Sequence, residues 1–234
     1  MGDEVQVKAL PSRTDTANRP SVRDRPAFYA AELGGWRDYI TLLHPPYTLW
    51  HLSYVVLGAA LAPTVRYDRL GATLLAFFLA VGIAAHALDE LSDRPLRTHI
   101  PDAVLRILAA LGLAGAVAVG VAGVLFTSLW LLPFIAFGVF ILPAYNLEWF
   151  RGRFHTDLWF ALAWGVFPFL TAYWASAEEV RLSGLFGALA VLALSLTQRT
   201  LSNRVRSLRR RVRSVEGTVV YADGSNQALD KPFL

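Results

Sequence analysis

The sequence predicts an all-α, polytopic membrane protein of about six transmembrane helices. Of its 234 residues, 55% are hydrophobic, and mean hydropathy is +0.42. The apolar residues gather in runs of about twenty, the length that carries a helix across a ~30 Å hydrocarbon core. A transmembrane barrel would need strands of about ten residues with alternating polarity, and no such alternation occurs.

Taken in order, residues 1–26 are polar, carry proline and mixed charge, and lack an apolar h-region. They read as a disordered segment and not as a cleavable signal peptide. Residues 27–43 space Phe28, Leu33, Trp36, Ile40 and Leu43 at helical intervals. The stretch is too polar to span, so an interfacial helix is expected, stopped by His44-Pro45-Pro46. The bundle, 44–198, holds apolar segments near 48–65, 69–88, 103–126, 128–147, 157–177 and 182–198. Pro133, Pro143 and Pro168 fall inside segments four and five, where proline kinks a helix and frees a carbonyl. Residues 199–213 predict a basic juxtamembrane helix that touches anionic lipid or closes over a phosphate. The tail 214–234 contains Asp-Gly, a turn signal.

Arginine placement sets the expected orientation. Arg94, Arg97 and Arg106 follow segment two, Arg151 and Arg153 follow segment four, and seven arginines lie between Arg199 and Arg213. The alternate loops offer only Arg66, Arg69 and Arg181. The positive-inside rule then places both termini in the cytoplasm, in a cell inner membrane. The excess of 22 basic over 18 acidic residues is accounted for by this orienting charge, so membrane lipid and no nucleic acid is the expected partner; oligomeric state is not legible. No cysteine is present, which excludes disulfides and thiolate metal sites. P-loop, GxSxG and HExxH patterns are absent.

With that topology all five histidines (His44, His51, His86, His99 and His155) fall at one membrane face. His51 stands on an otherwise apolar span and reads as a ligand, a base or a hydrogen-bonded packing residue. The end of segment two reads His86-Ala-Leu-Asp89-Glu90-Leu-Ser-Asp93-Arg94. His86, Asp89, Glu90 and Asp93 are spaced i, i+3, i+4 and i+7, one helix face. Like charges so placed call for a cation, and ionisable groups within a membrane are functional by default. A second cluster, Tyr145, Asn146, Glu148, Arg151 and His155, closes segment four and is expected to contact substrate, as is Arg94. Two chemistries fit: carboxylates holding Mg²⁺ with diphosphate and water completing the octahedron, or a transition-metal site (Fe, Mn or Zn) built from His51, His86, Glu90, Glu148 and His155.

At these residues the chain resembles the UbiA superfamily of intramembrane prenyltransferases, whose second helix ends in N-D-x-x-D-x-x-x-D. Asp89 and Asp93 match its second and third acids, and Arg94 the arginine that often follows. The stretch YNLEWFRGRFHTDLWFALAWGVFPFLTAYW is similar to that family's Tyr-Ser-x-x-Leu-Lys-Arg segment and the glycine-containing helix after it. The resemblance covers roughly 35–200. It implies a UbiA-like bundle, a cavity for an isoprenoid tail, and Mg²⁺ held by Asp89 and Asp93 with Glu90 and His86 beside them. His51 and His86 join the two aspartates as candidate catalytic residues, the reaction being prenyl transfer from an isoprenoid or other lipid. The chain departs from the pattern in three places. His86 replaces the first acid, Arg151 stands near the family lysine, and TQRTLSNRVRSLRRR replaces the second Asp-rich motif, with no further span after it. A non-catalytic lipid-binding protein on such a scaffold is the other reading this departure allows.

Overall fold

The computed structural model describes Tyr29, residues 34–212 and residues 217–229. The 1–26 segment read as disordered lies outside the described residues, as does the start of the expected interfacial helix. Helix α1, Trp36–Leu42, turns Asp38, Thr41 and Leu42 inward and leaves Trp36, Tyr39 and Ile40 exposed, the two-sided pattern of an interfacial helix. Helix α2 follows over Pro45–Ala60, with proline in its first turn, where no N–H is missed.

Five longer helices complete the bundle, each long and apolar enough to cross a membrane: α3 Tyr67–Asp93, α4 Asp102–Phe126, α5 Leu129–Asn146, α6 Asp157–Ala177 and α7, Leu182 onward. The chain is therefore a polytopic α-helical membrane protein. The first expected span proves shorter than the rest. At 16 residues, α2 is about 24 Å long. Its C-terminal half is wedged against α6, where a Cβ on Gly58 would meet the Phe169 carbonyl at 2.1 Å. Only glycine permits that approach. Gly112 plays the same part between α4 and α3, facing the Leu79 carbonyl.

The core that forms between these helices includes Val55, Phe77, Val81, Ala84, Ile141, Leu142, Trp164 and Ala172. Two helices widen locally into π-turns, α3 over Phe78–Ala85 and α6 over Leu162–Val166. The basic stretch after 198 is not a separate helix. It continues α7 without a break to Arg211, because 199–211 holds neither glycine nor proline to stop it. Past it, Thr218–Val220 and Asn226–Ala228 pair as a small antiparallel hairpin, with Asp-Gly in its turn.

The helix ends sort into two layers. One holds the starts of α2, α4 and α6 and the ends of α3 and α5. The other holds the Ala60–Tyr67, Phe126–Leu129 and Ala177–Leu182 connections, pinned by Arg69, whose guanidinium donates to the Ala175 carbonyl at 2.7 Å and pairs with Glu178.

Candidate functional site

The histidine-bearing layer is built from carbonyls that the helices release. Pro168 has no N–H to offer the carbonyl four residues back, that of Trp164. That oxygen instead accepts from His51 Nδ1 at 2.8 Å. His51 is only 5% exposed, so its tautomer is fixed: Nδ1 carries the proton and Nε2 the lone pair. His86 donates Nδ1–H to the Gly82 carbonyl at 3.3 Å, inside the π-turn of α3. His155 donates Nδ1–H to the Tyr145 carbonyl at 3.0 Å and stacks on the Tyr145 ring at 4.5 Å.

His44 differs. It caps α2 in the left-handed region, φ 45°, stacks on His86 with ring centroids 4.3 Å apart, and meets the Tyr29 hydroxyl through Nδ1 at 2.5 Å. Its Nε2 is buried without a hydrogen-bond partner among the described residues. Burial lowers its pKa from 6.5 to about 4, so the ring is neutral. His99 stands apart on the 94–101 loop, its backbone N–H donating to Asp38 Oδ2 at 2.8 Å. Burial opposes the Asp38 charge, but N–H donors from Gly34 and His99 outweigh it and hold the carboxyl below its usual range.

The expected acidic face of α3 divides. Glu90 is fully buried and accepts from the Leu96 and Thr98 N–H groups at 3.0 and 2.8 Å and from the Thr98 hydroxyl at 2.9 Å. Its lone pairs hold the following loop. Arg94, expected at the substrate, belongs to that loop too: it donates to the Ile100 carbonyl at 2.7 Å and pairs with Asp102. Asp93 is exposed. Asp89 is half-buried, in the fields of Arg199, Glu90 and Asp93.

The second cluster is partly assembled. Tyr145 packs edge-on to Trp164 at 5.6 Å and lies in the fields of Arg199, Asp89 and Asp157. Asn146 is buried, its amide returned to the Leu142 carbonyl at 2.8 Å. Glu148 and Arg151 occupy a left-handed turn at the surface, with Glu148 3.9 Å from His155.

Asp157, Phe160 and Tyr29, three residues the sequence reading did not name for the site, complete it together with Arg199 from the basic stretch. Arg199 Nε pairs with Asp157 at 2.7 Å, and its guanidinium lies 4.7 Å over the Phe160 ring. That ring also meets His51 at 5.6 Å. Tyr29 comes in from a segment carrying no motif. The only signal for Arg199 and Asp157 was their opposite charge at adjoining helix ends.

Among the described residues no three His, Asp or Glu side chains stand together as a self-sufficient metal cage. The transition-metal set does not fit, since Glu90 is spent on the loop and Glu148 faces outward. Asp89 and Asp93, one helical turn apart, fit the smaller share that Mg²⁺ asks of a protein when diphosphate and water supply the rest.

Beneath this layer a half-open apolar cavity of about 460 Å³ runs between α3, α4, α5 and α6, with Arg66, Asp68 and Arg69 at its far end and Trp164 in its inner wall. Trp164 therefore borders both the cavity and the polar cluster. No protein-family model matches this chain, and no curated protein or solved structure does.

Proposed function

We propose that this protein is a UbiA-like membrane enzyme that transfers a prenyl group from an isoprenoid diphosphate at its polar end. The observation that carries the reading is that one residue, Trp164, both lines an apolar cavity of about 460 Å³ and packs on Tyr145, which lies in the fields of Asp89 and Arg199. An amphiphile with a long apolar chain and an anionic head matches both halves.

Asp89 and Asp93 would hold Mg²⁺, which when bound supplies Lewis-acid neutralisation of the departing diphosphate. Arg199, already oriented by Asp157 and Phe160, places a permanent positive charge over the same head. It stands where the resemblance leads one to expect a second acidic motif. Trp164, Tyr145 and Phe160 would offer aromatic surface that stabilises allylic positive charge. The carbon–oxygen bond to diphosphate breaks, an acceptor attacks the allylic carbon, and the acceptor's proton is released.

The test is binding and turnover of geranylgeranyl diphosphate by the full chain in lipid nanodiscs. Binding should need Mg²⁺ and weaken about 100-fold in Asp89→Asn, the loss of a charged contact worth ~3 kcal/mol. Binding indifferent to both chelator and Asp89→Asn would sink the proposal. Metal-dependent binding with no diphosphate release, across a panel of acceptors, would leave a lipid-binding protein on this scaffold.

A further inference from the structure

We propose that the apolar cavity is also a phospholipid site. One acyl chain of a phosphoethanolamine-headed lipid enters it from the leaflet opposite the histidine layer, and a prenyl chain must displace that chain to bind. The displacement rests on the prenyl-diphosphate reading; the lipid site does not.

The cavity has a closed end and an open one. Toward the histidine layer its wall includes Val81, Ile141 and Trp164, all buried and the last only 6% exposed. Toward the other end the lining residues Arg66, Asp68 and Ala72 are exposed, and Phe126 is 85% exposed. A chain therefore enters tail first from the far end and stops at Trp164. From Arg66 to Val81 the axis of α3 advances about 22 Å, well over half of the ~30 Å hydrocarbon core, so the cavity suits a long chain lying straight. An unfilled apolar void forfeits the dispersion contacts of its lining. In a bilayer the hydrocarbon that can restore them comes from the adjoining leaflet.

The mouth selects the head. Arg69 is already engaged, donating to the Ala175 carbonyl and paired with Glu178. Arg66 and Asp68 hold each other loosely, Nε and Oδ1 standing 3.9 Å apart, beyond hydrogen-bond reach. The mouth thus offers one cation and one anion side by side, with no net charge between them. A phosphoethanolamine head carries the matching pair: a phosphate that accepts from the guanidinium and an ammonium that donates to the carboxylate. A choline head has no N–H to donate. A head whose only charge is the phosphate leaves Asp68 facing a like charge.

The experiment exchanges the full chain, in mild detergent, into an equimolar mixture of phosphatidylethanolamine, phosphatidylcholine and phosphatidylglycerol with identical acyl chains. Native mass spectrometry then identifies the lipid retained. Wild type should keep about one phospholipid per chain and prefer ethanolamine over glycerol heads about fivefold, the value of one exposed charged pair. Ala76→Phe, which fills the cavity from its α3 wall, should lose that lipid. Asp68→Asn, a surface change that keeps the test independent of folding, should retain a lipid without the preference. No retained lipid in wild type, retention by Ala76→Phe, or an unchanged preference in Asp68→Asn would overturn the proposal. Geranylgeranyl diphosphate with Mg²⁺ should expel the lipid one for one from wild type, and retention of both together would overturn the displacement. If the lipid behaves as stated while diphosphate binding fails its metal test, the lipid site stands and the prenyl-transfer reading falls.

Discussion

The two ends of the bundle are built from the same kinds of helix but differ in how they treat their backbone. Seven non-glycine residues have positive φ among those described. His44, Arg94, Arg97, Glu148, Phe150 and Arg151 lie at the polar end, and only Glu178 lies at the other. The polar end also receives the three carbonyls, of Gly82, Trp164 and Tyr145, that orient histidines. The opposite end closes with short connections and one arginine clamp. Departures from regular geometry cost free energy, and here they coincide with buried titratable groups. An end built only to terminate helices has no need of them.

This contrast can be broken by substitution. The largest stability effect is expected from Glu90→Ala, which strips acceptors from two buried N–H groups and should lower unfolding free energy by about 3 kcal/mol. Asp89→Asn, one residue earlier, should leave stability nearly unchanged while weakening diphosphate binding. Steric-trap unfolding in bicelles measures both, and equal destabilisation would refute the division of the acidic face.

A smaller effect is expected from pH. His44 has a folded pKa of about 4 against 6.5 in the unfolded chain, so the unfolded state takes up the proton first. Its contribution is complete above about pH 6.5 and is lost as pH falls toward about 4. His44→Phe should flatten thermal stability across that window; an unchanged slope would mean another group is responsible. The smallest effect is expected at the far end. Arg69→Ala should cost about 1 kcal/mol or less, as partly exposed ion pairs do, and leave diphosphate binding as it was. Weakened binding there would show that the two ends are coupled.

The membrane class and the order of helices were legible because run length follows from the thickness of the bilayer itself. Pro168 was legible too, since a residue without an N–H must free a carbonyl wherever it falls. Helical spacing could place Asp89 and Glu90 side by side, but it could not tell that the loop after Asp93 folds back and consumes Glu90. Arg199 was visible only as one basic residue among several, because its partner Asp157 lies 42 positions away in sequence. Tyr29 meets His44 across 15 positions of sequence, a contact that no periodicity announces.

Helix α7 has 30 residues and is about 45 Å long, some 15 Å more than the hydrocarbon it crosses. It is a lever with its fulcrum in the bilayer. One arm is anchored where the buried Ser195 hydroxyl donates to Tyr54, and Arg199 sits one turn beyond. A thinner membrane tilts a long helix, so bilayer thickness is expected to act through this lever on the Arg199–Asp157 pair.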